Sequence, residues 1–225
     1  MEGLGIHVIF EGSNLSRLLG GLLVSLRIAL AALLISTAGG IVLGLLMTSR
    51  QRLIRWLCRF YLETVRIIPI LVWLFVFYFS FTKIFYIHLP AEFIAILVFS
   101  LWGIAELGDL VRSAITTLPS HQLESGMALG LTRLQVYWWV IMPQALRRLI
   151  PSAINLATRM IKTTSLVVLI GVVEVLKVGQ QIIEVSILST PTASFWVYAV
   201  IFFLYFIVCW PISAYSKKLE QKWQA

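Results

Sequence analysis

From Ile28 to Ser49 the chain carries no charged side chain and is built largely of Leu, Ile, Ala and Gly. A helix that crosses a hydrocarbon core about 30 Å thick needs about 20 mostly apolar residues, so this run fits a membrane span and little else. Four further apolar stretches follow, and spans are expected over residues 20–49, 64–86, 93–116, 148–173 and 195–215. Charges fall at or near their ends: Arg50, Arg52, Arg55 and Arg59, then Lys83 (with His88 beyond it and Pro90 closing the second run), and finally Lys217, Lys218 and Lys222. Composition agrees, because 12% charged residues against 60% hydrophobic ones leave too little polar surface to cover a soluble globule. The fold class expected is an all-α integral membrane protein, one transmembrane domain over residues 1–225. A chain of this length has no room for a nucleotide-binding domain as well.

The net charge of +8 could mean nucleic acid, but the basic residues punctuate apolar runs rather than forming a solvated basic face. No nucleic-acid partner is expected. Arg50 to Arg59, then Arg133, Arg147 and Arg148, then the tail lysines fall on alternate loops. The opposite loops hold Arg17, Lys83 and Lys177, partly balanced by Glu2, Glu11, Glu174 and Glu184. The positive-inside rule then places the N-terminus outside and the C-terminus inside, an odd topology that five spans provide. The acidic start (Glu2) does not read as a cleavable signal. Cys58 and Cys209 lack metal-ligand spacing and read as core or lipid-side thiols. No metal site is expected. Gly40 to Gly44 has the GxxxG spacing that lets helices approach closely, and residues 174–185 read as an amphipathic helix at the outer surface.

The inside loop, residues 117–147, carries the densest punctuation. Pro119 and Ser120 start a short helix, with Ser120 as N-cap and Glu124 near its positive end. Gly130 suits a C-terminal cap. Thr132 and Gln135 then form a capping-box pattern opening a second short helix, expected to run to about Ile141 and stop near Pro143. Such a rigid knuckle either docks a partner or lies on headgroups through Trp138 and Trp139; the pattern alone leaves both open.

Glu124, Ser125, Gly126, Ala128 and Gly130, followed after nine residues by Val140-Ile141-Met142-Pro143, resemble the Glu-Ala-Ala loop of binding-protein-dependent ABC importer permeases. Ser125 and Gly126 depart from that family's two alanines. Val65-Arg66-Ile67-Ile68-Pro69 is similar to a Phe-Arg-Gly-Thr-Pro signature of permeases for polar amino acids, and Asp109 to Arg112 matches their Glu-x-x-Arg. Lys162-Thr163-Thr164-Ser165-Leu166 resembles their Lys-Asp-Thr-Ser-Leu, and Gly171 with Glu174 to Leu176 the run that follows. The resemblance covers the chain from about Leu18 onward. It implies a type I ABC importer permease fold in a bacterial inner membrane, with the loop as a coupling helix seated on a cytoplasmic ATPase. It also implies a periplasmic or lipid-anchored substrate-binding protein, a second permease copy or sister permease, and a small polar amino acid as cargo. ATP and Mg²⁺ would be used by the partner ATPase; this chain, with no Walker A sequence, is expected to bind no cofactor and to catalyse nothing itself.

Charged groups at membrane depth are costly and face a cavity or a partner. By helix rise, Glu106 and Arg159 lie about 15 Å from the cytoplasmic ends of their helices, near the midplane, with Lys162 and Thr163 about one turn beyond Arg159. A zwitterionic amino acid needs a cation or donor (Arg159, Lys162, Thr163) and an acid (Glu106). Internal pairing of Glu106 with Arg159 or Lys162 is an equally good reading. Asp109 and Arg112, three apart on one helix, are expected to pair structurally, and Arg66 to snorkel to headgroups. Two other classes compete. A membrane-embedded hydrolase is disfavoured because His7, His88 and His121 are scattered away from any Ser or Asp constellation. An ion-coupled homodimeric transporter or channel would suit the buried charges but not the loop.

Overall fold

The computed structural model describes residues 5–84, 86, 88–119 and 121–224; Glu2 and Ser120 lie outside them. Among the described residues the regular elements are helices: α1 (Asn14–Met47), α2 (Arg52–Ile67), α3 (Ile70–Ile84), α4 (Ala91–Thr116), α5 (His121–Ala128), α6 (Arg133–Val136), α7 (Met142–Thr163), α8 (Val175–Ser186) and α9 (Ala193–Gln224). Among the described residues four segments are long and apolar enough to cross a membrane, or five when the bent pair α2 and α3 counts as one span.

Several boundaries differ from the sequence expectation. The arginine-rich stretch after the first span is a helix, α2, and the second span is broken at Ile68-Pro69 instead of starting at residue 64. Ile68 is extended (φ −78°, ψ 126°) because a residue before proline is pushed out of the helical region. The helix after Thr132 does not stop at Pro143. Residues Tyr137–Ile141 form a π turn whose Met142 N–H reaches Tyr137 O, and the helix continues through it into α7 with Pro143 as the second residue. The fourth span ends as a 3₁₀ segment, Thr164–Ile170, closed by Gly171 at φ +87°. α9 runs ten residues or so past the expected end.

The chain forms two compact units: Met1–Ala32, Leu71–Phe99 and Arg159–Pro211 in the first; Leu33–Ile70, Ser100–Thr158 and Ile212–Ala225 in the second. In the first, Val175, Val178 and Ile182 of α8 share a helical face and bury against Leu18 and Leu22 of α1 and Val197 and Ile201 of α9. α8 is thus packed into a core along one face. Gly21 allows the approach, since a Cβ there would lie 2.7 Å from Val175 N. Glu174, fully buried, caps α8 by accepting from Leu176 N at 2.9 Å and Lys177 N at 3.0 Å, and Ser25 Oγ donates to it at 3.3 Å.

In the second unit α1 and α4 approach closely through glycines. A Cβ on Gly39, Gly40 or Gly44 would fall 2.7, 2.7 and 2.5 Å from Ile104, Leu107 and Val111, and one on Gly108 would meet Leu43 at 2.8 Å. Small residues at such a contact let backbones pack by van der Waals attraction, the main force between helices in lipid. α2 buries Cys58, Leu62 and Val65, and Tyr61 Oη donates to Leu101 O at 2.7 Å. The far end of α9 is tied to α7 by Ser216 Oγ, which donates to Pro151 O at 2.8 Å.

Candidate functional site

α4 carries two acids and one cation within two turns, and the excess acid is met from α2. Arg66, in the last turn of α2, sets its Nε 3.1 Å from Glu106 Oε1 and its Nη1 2.8 Å from Asp109 Oδ2. Asp109 Oδ1 also accepts from Arg112 Nη2 at 2.7 Å and Nε at 3.0 Å. The four side chains form a neutral relay of alternating sign, with Glu106 only 9% exposed. This differs from the expectation for Arg66, which turns inward to two carboxylates instead of outward to headgroups. It also gives Glu106 a cation that the sequence reading did not consider. A signal was available: Glu106 and Asp109 outnumber Arg112 by one charge, and a buried carboxylate at that depth requires a further cation.

α7 presents a second polar feature. Asn155, Arg159 and Lys162, spaced four and three apart, are exposed along one face of a helix within a spanning segment. Charged groups at that depth face a cavity or a partner. Thr163, half-buried, donates its hydroxyl to Arg159 O at 2.8 Å, within its own helix.

The loop between α4 and α7 folds as a compact hairpin. Gly130, at φ +85°, sits at the C′ position of α5; its N–H reaches Met127 O at 3.0 Å and Leu131 N–H reaches Gly126 O at 3.1 Å, the Schellman pattern. Thr132 and Gln135 make the capping box: Gln135 N–H donates to Thr132 Oγ1 at 3.3 Å and Thr132 N–H to Gln135 Oε1 at 2.8 Å. Gly126 is buried, and a Cβ there would lie 2.6 Å from Val136 Cγ2, so the second departure from the two-alanine pattern has a packing reason. Glu124, Ser125 and Ala128 face outward, as does Pro143. Leu129 (83% exposed), Leu134, Trp138 and Trp139 leave an apolar surface on this hairpin uncovered.

The comparisons with known proteins say to which class these spans and this hairpin belong. Residues 40–224 match the family described as "Binding-protein-dependent transport system inner membrane component", and the chain belongs to it. It is 31% identical over 174 residues to the "Probable amino-acid permease protein YxeN" of Bacillus subtilis, covering 76% of this chain and 78% of that one. It is 30% identical over 190 residues to the "Glutamine transport system permease protein GlnP" of Escherichia coli, covering 82% and 84%. The fold is similar to the solved "amino acid ABC transporter with histidines" (TM-score 0.82, 24% identity, 92% of this chain and 94% of that one). It is also similar to an inward-facing MetNI methionine ABC transporter (TM-score 0.71, 16% identity, 93% and 97%). The protein is therefore a multi-pass membrane subunit of a binding-protein-dependent transport system.

Proposed function

We propose that this chain forms half of the channel of an ATP-driven importer for polar amino acids in a bacterial inner membrane. The observation that carries the reading is the hairpin of α5 and α6: a doubly capped, rigid element that presents apolar side chains at the end of two spans. Such a surface suits a groove on a cytoplasmic ABC ATPase, which would bind ATP and Mg²⁺ and transmit its closure through Glu124 to Pro143. A substrate-binding protein, periplasmic or lipid-anchored, delivers the cargo, and a second copy or a sister permease completes the channel. The relatives named for amino-acid and glutamine transport support that substrate class. Arg159 and Lys162 are proposed to meet the substrate carboxylate, with Thr163 beside them, and Glu106 is proposed to bear on specificity.

Proteoliposomes holding the chain with its co-purified ATPase test this directly. Uptake of a labelled polar amino acid should require ATP inside and binding protein outside. Gly130→Val should abolish ATPase recovery on affinity purification, because a β-branched residue resists positive φ. Uptake driven by an ion gradient without ATP would overturn the proposal in favour of an ion-coupled transporter.

A further inference from the structure

α1 ends at Met47, where the charge-free run from Ile28 gives way to Arg50, so α2 begins at the bilayer boundary. There the chain gathers Arg50, Arg52, Arg55 and Arg59, and among the described residues only Arg59 of these four has a carboxylate within ion-pair distance, Glu63 at 2.7 Å. Arg55 is held in place by neutral groups: its Nη1 donates to Ser49 O at 2.9 Å and to Arg50 O at 3.3 Å. Its charge is thus positioned but uncompensated. The same helix surface carries exposed Trp56 and Phe60, one turn apart and stacked with ring centroids 5.8 Å apart. Arg55 and Arg59 line a cleft of about 680 Å³ together with Glu63 and the Arg66–Asp109–Arg112 relay, and a smaller one of about 330 Å³ lies against Trp56, Arg59, Phe60 and Glu63.

Fixed cations beside exposed aromatic faces match one chemistry, a phosphodiester carried on acyl chains. We infer that α2 is a binding site for an anionic phospholipid, with Arg52 and Arg55 on the headgroup phosphate and Trp56 and Phe60 against the glycerol and upper acyl chains. A zwitterionic lipid brings its own ammonium group and gains less from this cluster. The inference does not rest on the importer reading.

Native mass spectrometry of the whole detergent-purified chain, titrated with phosphatidylglycerol or phosphatidylcholine, tests the inference. Phosphatidylglycerol should remain bound at activation energies that strip phosphatidylcholine. Replacing two charges, Arg52→Gln with Arg55→Gln, should weaken phosphatidylglycerol binding about 30-fold. The pair Arg52→Lys with Arg55→Lys, which keeps charge and guards against a folding defect, should stay within about threefold of the parent. Equal retention of the two lipids, or unchanged binding by the glutamine pair, would overturn the inference. Displacement of the lipid by millimolar glycerol phosphate would also overturn it, since that would mark a soluble-anion site. So would a cluster whose charge removal shifts only the monomer–dimer ratio, since the face would then belong to a second copy of the chain.

Discussion

Glu106 illustrates how one buried charge constrains its surroundings. Its carboxylate is satisfied from Arg66, which also holds Asp109. Removing the charge by Glu106→Gln, or its partner by Arg66→Gln, should each lower stability by about 1–3 kcal/mol, less than a fully buried pair because Arg66 is 42% exposed. In a double-mutant cycle read by thermal unfolding in detergent, the pair of substitutions should cost less than their sum; strict additivity would mean the contact contributes nothing. Glu174 allows a prediction with a sign. Burial pushes its carboxyl above the usual range, against the pull of the bonds from Leu176, Lys177 and Ser25. A group raised on folding contributes stability that is fully present below its unfolded value and lost as pH rises through the folded one. The unfolding midpoint of the parent should therefore fall relative to that of Glu174→Gln as pH rises from 4 through the carboxylate range toward 7. A constant difference across that window would show that Glu174 titrates normally.

Between elements, contacts are set by what is missing from side chains. Gly126 against Val136 makes the α5–α6 hairpin compact. Gly126→Ala should destabilise it by about 1–3 kcal/mol through overpacking, and Val136→Ala in the same chain should recover part of that loss. Hydrogen exchange across residues 121–141 would show both effects; protection unchanged by Gly126→Ala would mean Val136 can move aside. Gly44 faces a less forgiving neighbour, since a Cβ there meets Gly108 O at 2.7 Å as well as Val111. Backbone cannot rotate away as a side chain can. Gly44→Ala should accordingly lower the unfolding midpoint more than the same change at Gly20, where the added Cβ has nothing within 4 Å.

For the whole molecule, the apolar hairpin is a surface that the described residues leave uncovered. In the proposed importer a cytoplasmic ATPase would cover Leu129, Leu134 and the tryptophans, and Arg159 and Lys162 would face the substrate. Arg159→Gln with Lys162→Gln should reduce amino-acid uptake by about tenfold or more while leaving ATPase recovery on purification unchanged, since one charged contact is worth roughly 1.5–3 kcal/mol. Loss of both readouts together would instead mark these residues as structural.

The sequence by itself determined the solvent, the helical class and the caps at Gly130 and Thr132, because each depends on local chemistry. A charge-free run admits a membrane, Gly130 admits positive φ, and Thr132 with Gln135 closes a capping box within four residues. The family motifs were legible for the same reason, as short runs in order. Pairing across sequence distance was not. Arg66 lies 40 residues from Glu106, and whether it turns to lipid or to an acid depends on how α2 packs on α4, which no local rule encodes. The continuation of the chain through Pro143 likewise depended on a π turn that widens the helix one residue before the proline needs the room. The glycines of α1 showed that some neighbour would come close; only the tertiary structure decided that it is α4 of the same chain, because in lipid the choice among packed helices rests on shape.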